Sequence, residues 1–308
     1  MINDKNQILN TTFNQLNQEF YSEFNPKYFR QKISYLVALL SNINHLSDVY
    51  EKGIKVGKLD AKGERLNSEE EKLLTQILKS EISQAYYHSI ETFFRLFIAH
   101  SYKSNCPWLE ISDLNNYKKF KDAVEKISKH QFPTPKHKLE EIVTMVIFGN
   151  IGESNNVDKE KWKNNIKNTL SWIDIFSSDL LGNTDYNAYK HGLSLFSSEL
   201  GVSLEGTPLK KEKAEVLKYI TQQRTKSQIK YNKTYKYINW EEKVALIFIV
   251  SDMIENISNI GKKYYLRDEK PINIHMFDHV SPSKLFKNGI NLTSINFELP
   301  IEKIIKQK

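Results

Sequence analysis

SEEEKLLTQILKSEISQAYYHSIETFFRLFIAHSYK, residues 68–103, is the stretch on which the fold turns. Ser68 stands in an N-cap position, and Glu69, Glu70 and Glu71 follow where the positive end of a helix favours acidic side chains. Neither glycine nor proline interrupts it, and Asn105-Cys106-Pro107 closes it. Between Tyr86 and Ile98 apolar residues occupy most of the helical circumference. That distribution predicts a helix enclosed by others rather than one lying on a surface.

Helical periodicity extends outward from this segment on both sides. Ile8, Phe13, Leu16 and Phe20 line one face of a helix over Asp4 to Phe24, which breaks at Asn25-Pro26. Phe29, Ile33, Leu36, Leu40 and Ile43 do the same over Tyr28 to Tyr50. Gly53, Gly57 and Gly63 make the next stretch a connector. Beyond the central segment, helices are expected at Asp113 to Lys129, Pro135 to Phe148 and Asp158 to Leu181. After Gly192 the period changes. Leu193 to Ser197, Val202 to Glu205 and Tyr231 to Trp240 alternate, the pattern of antiparallel strands. Trp240 then leads an apolar helix through Val244, Ile247, Val250, Ile254 and Ile257. The expectation is a mainly α fold, a multi-helix bundle with a small antiparallel β appendage after residue 192. It has a helical domain over 1–265 with the β insertion at about 193–239, and a C-terminal extension, 266–308, packed on it.

Composition narrows the class. The chain has 308 residues with 44 basic and 37 acidic side chains, a net charge of +7, and only 5 of the basic residues are arginine. A 40% apolar content with 16 Tyr, 16 Phe and 4 Trp describes a chain that buries a core. One cysteine excludes a disulfide framework and a cysteine-based zinc site. Met1 to Asn17 is polar, without an apolar signal core, and the longest uncharged apolar run, Val244 to Ser251, is far short of the roughly 20 residues that span a bilayer. These features predict a cytoplasmic protein without a membrane segment. The basic balance permits contact with phosphate backbones, although most lysines of such a chain are simply solvated. No H-E-x-x-H, Walker loop, G-x-G-x-x-G or G-x-S-x-G occurs, so no cofactor or metal is expected.

Two clusters carry candidate chemistry. In Asp185-Tyr-Asn-Ala-Tyr-Lys-His-Gly192 a helix end is expected, with Gly192 free to adopt the left-handed cap. Basic groups there offset the helix dipole, which accounts for Lys190 and His191 structurally. Tyr186, Asn187 and His191 nevertheless share that turn, and imidazole beside an ammonium can bind phosphate or act as a base. On the central helix His88, Glu91 and Arg95 form one polar stripe at three- and four-residue spacing. Either the stripe is a solvent face with an ordinary Glu91–Arg95 pair, or it faces a cleft where Arg95 offers its fork to a phosphate. On the β segment, Tyr231, Tyr235, Tyr237 and Trp240 interleave with Lys230, Lys233 and Lys236. That pattern suits a strand with one wet face, and equally a platform on which bases stack beside phosphates.

Arg95-Leu-Phe-Ile-Ala-His100 fits the R-x4-H signature of HEPN domains, and the chain is in that respect similar to them. Leu96 stands where the signature usually has a polar residue, and Arg95 and His100 lie about 140° apart on an ideal helix. From Ser80 to Ile260 the chain also resembles a set of uncharacterised bacterial helical proteins carrying the Tyr-Asn-Ala-Tyr-Lys-His-Gly motif. The HEPN resemblance implies a metal-independent endoribonuclease of a toxin or phage-defence system, completed across a homodimer. Arg95 would hold the scissile phosphate, and His100 or His191 would take the 2′-hydroxyl proton. His88, Glu91, Tyr186, Asn187 and Lys190 would bind substrate RNA. The alternative is a non-catalytic helical scaffold that binds a protein or nucleic-acid partner through the β appendage and the C-terminal extension.

Overall fold

In the computed structural model the described residues are 10–132, 137–153, 158–182, 195–200, 203–204, 207–208, 214–224, 229–237, 239–286 and 297–301. They form a mainly α, multi-helix protein with a small antiparallel β appendage. In chain order the elements begin with α1 (Asn10–Glu23), α2 (Tyr28–Ser41), α3 (Ile43–Lys52), β1 (Ile54–Val56), β2 (Leu59–Ala61) and α4 (Ser68–Ser101). Next come α5 (Pro107–Asp113), α6 (Tyr117–Ser128), α7 (Leu139–Phe148), α8 (Lys159–Leu181), β3 (Leu195–Leu200), β4 (Ser203–Leu204) and β5 (Thr207–Pro208). The last described elements are β6 (Ala214–Arg224), β7 (Ile229–Tyr237), α9 (Trp240–Leu266), α10 (Pro282–Phe286) and β8 (Phe297–Ile301).

Local chemistry explains where these elements start and stop. The helix expected over Tyr28 to Tyr50 is two helices, broken at Asn42, whose side chain turns back to the Ala38 carbonyl (2.8 Å). The expected connector at Gly53 to Gly63 is a short hairpin, with Gly57 at φ +60° in its turn. Asn116 caps α6 through Lys119 N–H, and Asp158 caps α8 through the N–H groups of Glu160 and Lys161. The sheet order is β3-β6-β7-β8, antiparallel throughout. Its longest strand, β6, lies in a segment where the sequence marked no strand, and β8 comes from the tail.

The chain divides into two compact units, each assembled from three separated stretches. One comprises Met1–Arg30, Tyr87–Gly182 and Ile247–Asn291. Its core is the C-terminal half of α4, where Ile90, Phe93, Phe94, Phe97 and Ile98 are fully buried, with Trp172, Ile173 and Phe176 of α8 and Val250, Met253 and Ile257 of α9. Phe93 stacks on Phe97 and meets the Phe176 edge at 6.3 Å. The tail ahead of α10 is an irregular strap tied down through its backbone. Asn165 accepts from Phe277 N–H, Asn168 donates to the carbonyls of Phe277 and Asp278, and Trp172 donates to Val280. Asn256 bonds both the N–H and the carbonyl of His275. These side chains give an unstructured backbone the partners that a helix or sheet would otherwise supply.

The other unit comprises Gln31–Tyr86, Asn183–Leu246 and Leu292–Lys308. Here Lys79 lies over the Trp240 ring and Lys243 over Tyr86, while Lys32 pairs with Glu81 across α2 and α4 at 3.8 Å. The N-terminal half of α4 is much less buried than its C-terminal half, with Leu73 and Ile77 exposed. Among the described residues α9 is the one helix long and apolar enough to cross a bilayer by length and composition. Some 61% of its most apolar window is buried inside the protein, as for a core helix.

Candidate functional site: a cavity beside a buried tyrosine–histidine pair

The polar stripe on α4 is neither a solvent face nor an open cleft. Arg95 gives Nε and Nη2 to Glu91 Oε1 at 3.0 and 2.6 Å, and Nη1 to the Leu114 carbonyl at 2.6 Å. Its guanidinium also covers the Phe120 ring, 4.5 Å from the centroid. Side-chain exposure is 18% for Arg95 and 13% for Glu91, so both charges are largely withdrawn from water. Leu114 is the C-cap of α5, and its carbonyl is one of the orphan groups a helix end leaves. Arg95 therefore pins the corner between α5 and α6 to the central helix. His88, on the same stripe, is half-buried.

His100 lies deeper, at 7% exposure in the last turn of α4. Its Nδ1 is 2.8 Å from the Leu96 carbonyl, which only accepts, so Nδ1 carries the proton. Nε2 then offers its lone pair, and the Tyr21 hydroxyl donates to it at 2.7 Å. Burial lowers the imidazole pKa to about 4, against a smaller upward pull from the Leu96 carbonyl, and burial raises the Tyr21 hydroxyl far above its usual range. Tyr265 completes the group, stacked on Tyr21 at 6.1 Å and edge-on to His100 at 6.0 Å. Arg95 and His100 thus face different partners, as their angular separation on α4 requires.

The titration of His100 has a measurable consequence. The unfolded chain takes up this proton near pH 6.5 and the folded chain only near pH 4. Between those values the unfolded state binds more protons, so stability is full above about pH 6.5 and falls as the pH drops towards 4. The shift corresponds to about 3 kcal/mol, of which about 2 kcal/mol is lost by pH 5. Urea denaturation at pH 7 and pH 5 should register that loss, and a His100→Gln variant should show a much flatter dependence. Wild-type stability unchanged across this window would contradict the buried neutral imidazole.

Beside the pair lies a cavity of about 320 Å³. Met145, Val146 and Ile260 line it with apolar side chains, together with Tyr264, Tyr265, His100 and Gly261 and two lysines, Lys103 and Lys263. Lys103, Gly149 and Asn150 line it with left-handed backbone (φ +48°, +57° and +61°), the conformation in which α4 and α7 end. Sequence reading singled out His100 alone of these residues. Gly261 carried a legible signal, an isolated glycine inside an apolar helix. Tyr21, Lys103, Lys263 and Tyr265 carried none, because nothing local links residue 21 to residue 100.

Tyr186, Asn187, Lys190 and His191 lie outside the described residues. Among the described residues one group has the donors for a metal ion: Asp252, Glu255 and His275, with ligand atoms within 4.8 Å of one another. Arg30 already pairs with Asp252, and Lys27 stands 3.6 Å from Glu255. The two carboxylates are therefore balanced by two resident cations, and the group fits an ion-pair cluster better than a cation site. No protein-family model, curated protein or solved structure matches the chain.

Proposed function

We propose that this protein is a non-catalytic helical scaffold that binds single-stranded nucleic acid through its β appendage. One observation carries the reading: both members of the R-x4-H pair are engaged within the fold and largely withdrawn from water. Arg95 gives three of its five N–H groups to Glu91 and Leu114, and both ring nitrogens of a neutral His100 have partners. A phosphate-binding arginine needs an accessible fork, and a catalytic imidazole needs to exchange protons near neutrality. The net charge of +7 and the lysines of β7, Lys230, Lys233 and Lys236, support a polyanionic partner. The register sets Tyr235 opposite Lys218 and Tyr231 opposite Gln222 on β6, and Ile220 between them is 60% exposed. Aromatic and basic residues interleaved on one ribbon suit stacked bases with their phosphates alongside.

Fluorescence anisotropy with a labelled single-stranded RNA in EDTA tests both halves. Binding should weaken as salt rises, and replacing Lys233 and Lys218, the lysines that share the register face of Tyr231 and Tyr235, by glutamine should reduce the slope of log K against log salt by about 1.4. The RNA should remain intact. Binding that ignores salt would remove the nucleic-acid partner. Cleavage in EDTA that a folded His191→Ala variant loses would replace the scaffold reading by the ribonuclease one.

A further inference from the structure

The cavity beside Tyr21 and His100 has a chemical character that the scaffold reading neither uses nor needs. We propose that it is a binding site for a small organic anion with a flat or apolar body, a compact carboxylate or phosphate head attached to one ring. Three observations converge on this class. Its volume, about 320 Å³, lies at the low end of the range for small-molecule sites and is about twice that of a cavity that takes benzene, so one ring with a charged head fits inside it. Its body is lined by Met145, Val146, Ile260 and Tyr265, surfaces that gain by excluding water from an apolar or aromatic ligand.

The charges are the third. Lys103 and Lys263 both line the cavity, no aspartate or glutamate does, and neither lysine has an ion pair among the described residues. Lysines near helix ends ordinarily offset the dipole, and both stand at such ends: Lys263 in the last turn of α9, Lys103 just past α4. That explanation covers less than the whole charge. Each helix terminus carries at most about half a negative unit. Those of α4 and α7 are already partly discharged by backbone bonds, from Lys103 N–H to His100, Gly149 N–H to Met145 and Asn150 N–H to Thr144. Glu110 acts on Tyr265 from outside the lining, but the lining itself holds two lysines and no carboxylate, so a head that enters the cavity meets positive charge alone.

The geometry also orders the ligand. Both nitrogens of His100 are occupied, so that residue offers ring surface rather than a hydrogen bond. The charged head therefore stays at the lysines, and the body lies towards Tyr265 and His100.

Isothermal titration of the full chain with benzoate, phenyl phosphate and the neutral isostere benzamide tests the site. At least one of the two anions should bind saturably, with benzamide at least about tenfold weaker. Which anion binds better decides between a carboxylate and a phosphate head. A Lys103→Gln/Lys263→Gln variant, both changes being at solvent-reachable side chains, should weaken the anion about tenfold while lowering the thermal midpoint by no more than a few degrees. The proposal is overturned if no compound binds, if benzamide binds as well as the anions, or if the double variant binds them undiminished. The lysines of β7 lie outside the cavity, so failure here leaves the nucleic-acid proposal standing and the reverse also holds.

Discussion

Replacing Gly261 by alanine is expected to destabilise the protein by about 3 kcal/mol, against the intrinsic preference of a helix for alanine. In an open helix the exchange gains up to about 1 kcal/mol. At this position a Cβ would fall well inside van der Waals distance of the Tyr21 hydroxyl, 2.8 Å from its Cζ and 2.9 Å from His100 Nε2. Tyr21 is 2% exposed and cannot step aside. Expelling its ring forfeits about 1.5–3 kcal/mol of burial, and leaving Nε2 of His100 without its donor costs about 1–3 kcal/mol more. Tyr21→Phe should be partly compensatory: harmful alone, because it orphans His100, but less harmful when Gly261 is already alanine, because the closest clashing atom is gone. Denaturation of the two single variants and the double variant measures that coupling. A neutral or stabilised Gly261→Ala protein would mean that α9 does not approach Tyr21 as described.

The second large effect belongs to Arg95. Truncation to alanine should cost about 2–4 kcal/mol, because it removes two charge-assisted hydrogen bonds from a Glu91 carboxylate that is only 13% exposed and a third from the Leu114 carbonyl. The loss of the guanidinium over Phe120 adds to it. An exposed i,i+4 pair would cost a few tenths of a kcal/mol, so the two readings of the stripe differ by about an order of magnitude. Arg95→Lys keeps the charge but loses the fork that reaches Glu91 and Leu114 together, and should fall between wild type and alanine. The paired replacement Arg95→Met/Glu91→Leu should be closer to wild type than Arg95→Ala, since removing both buried charges leaves neither uncompensated. A cost below about 0.5 kcal/mol for the alanine variant would return the stripe to the solvent. These variants also bear on function, because loss of RNA binding in an Arg95 variant means little until its stability is known.

Much of this architecture was legible in the chain. The acidic turn at Glu69 to Glu71 and the nearly uninterrupted apolar surface from Tyr86 to Ile98 sufficed to place α4 and its buried half. The helix expected over Asp158 to Leu181 is α8, and the change of period after Gly192 announced the strands. These features are local: propensity, capping and periodicity act over a few residues, so they survive in a sequence read by itself. Strand β6 was missed, its alternation being weak between two clearer signals.

The roles of the polar residues were decided elsewhere. Spacing placed His88, Glu91 and Arg95 on one stripe, but only the packing of the α5–α6 corner against it showed Arg95 holding Leu114 rather than facing water or an open cleft. The HEPN resemblance offered His100 as a catalytic imidazole, and the fold gave it Tyr21, 79 residues away, as its partner. Gly261 mattered because two other helices close on it. A sequence states which faces of its helices are apolar and which polar groups must find partners; it does not state which distant element fills each face. Tertiary closure settles that, because a buried donor or acceptor is tolerated only where the far side of the chain supplies its match.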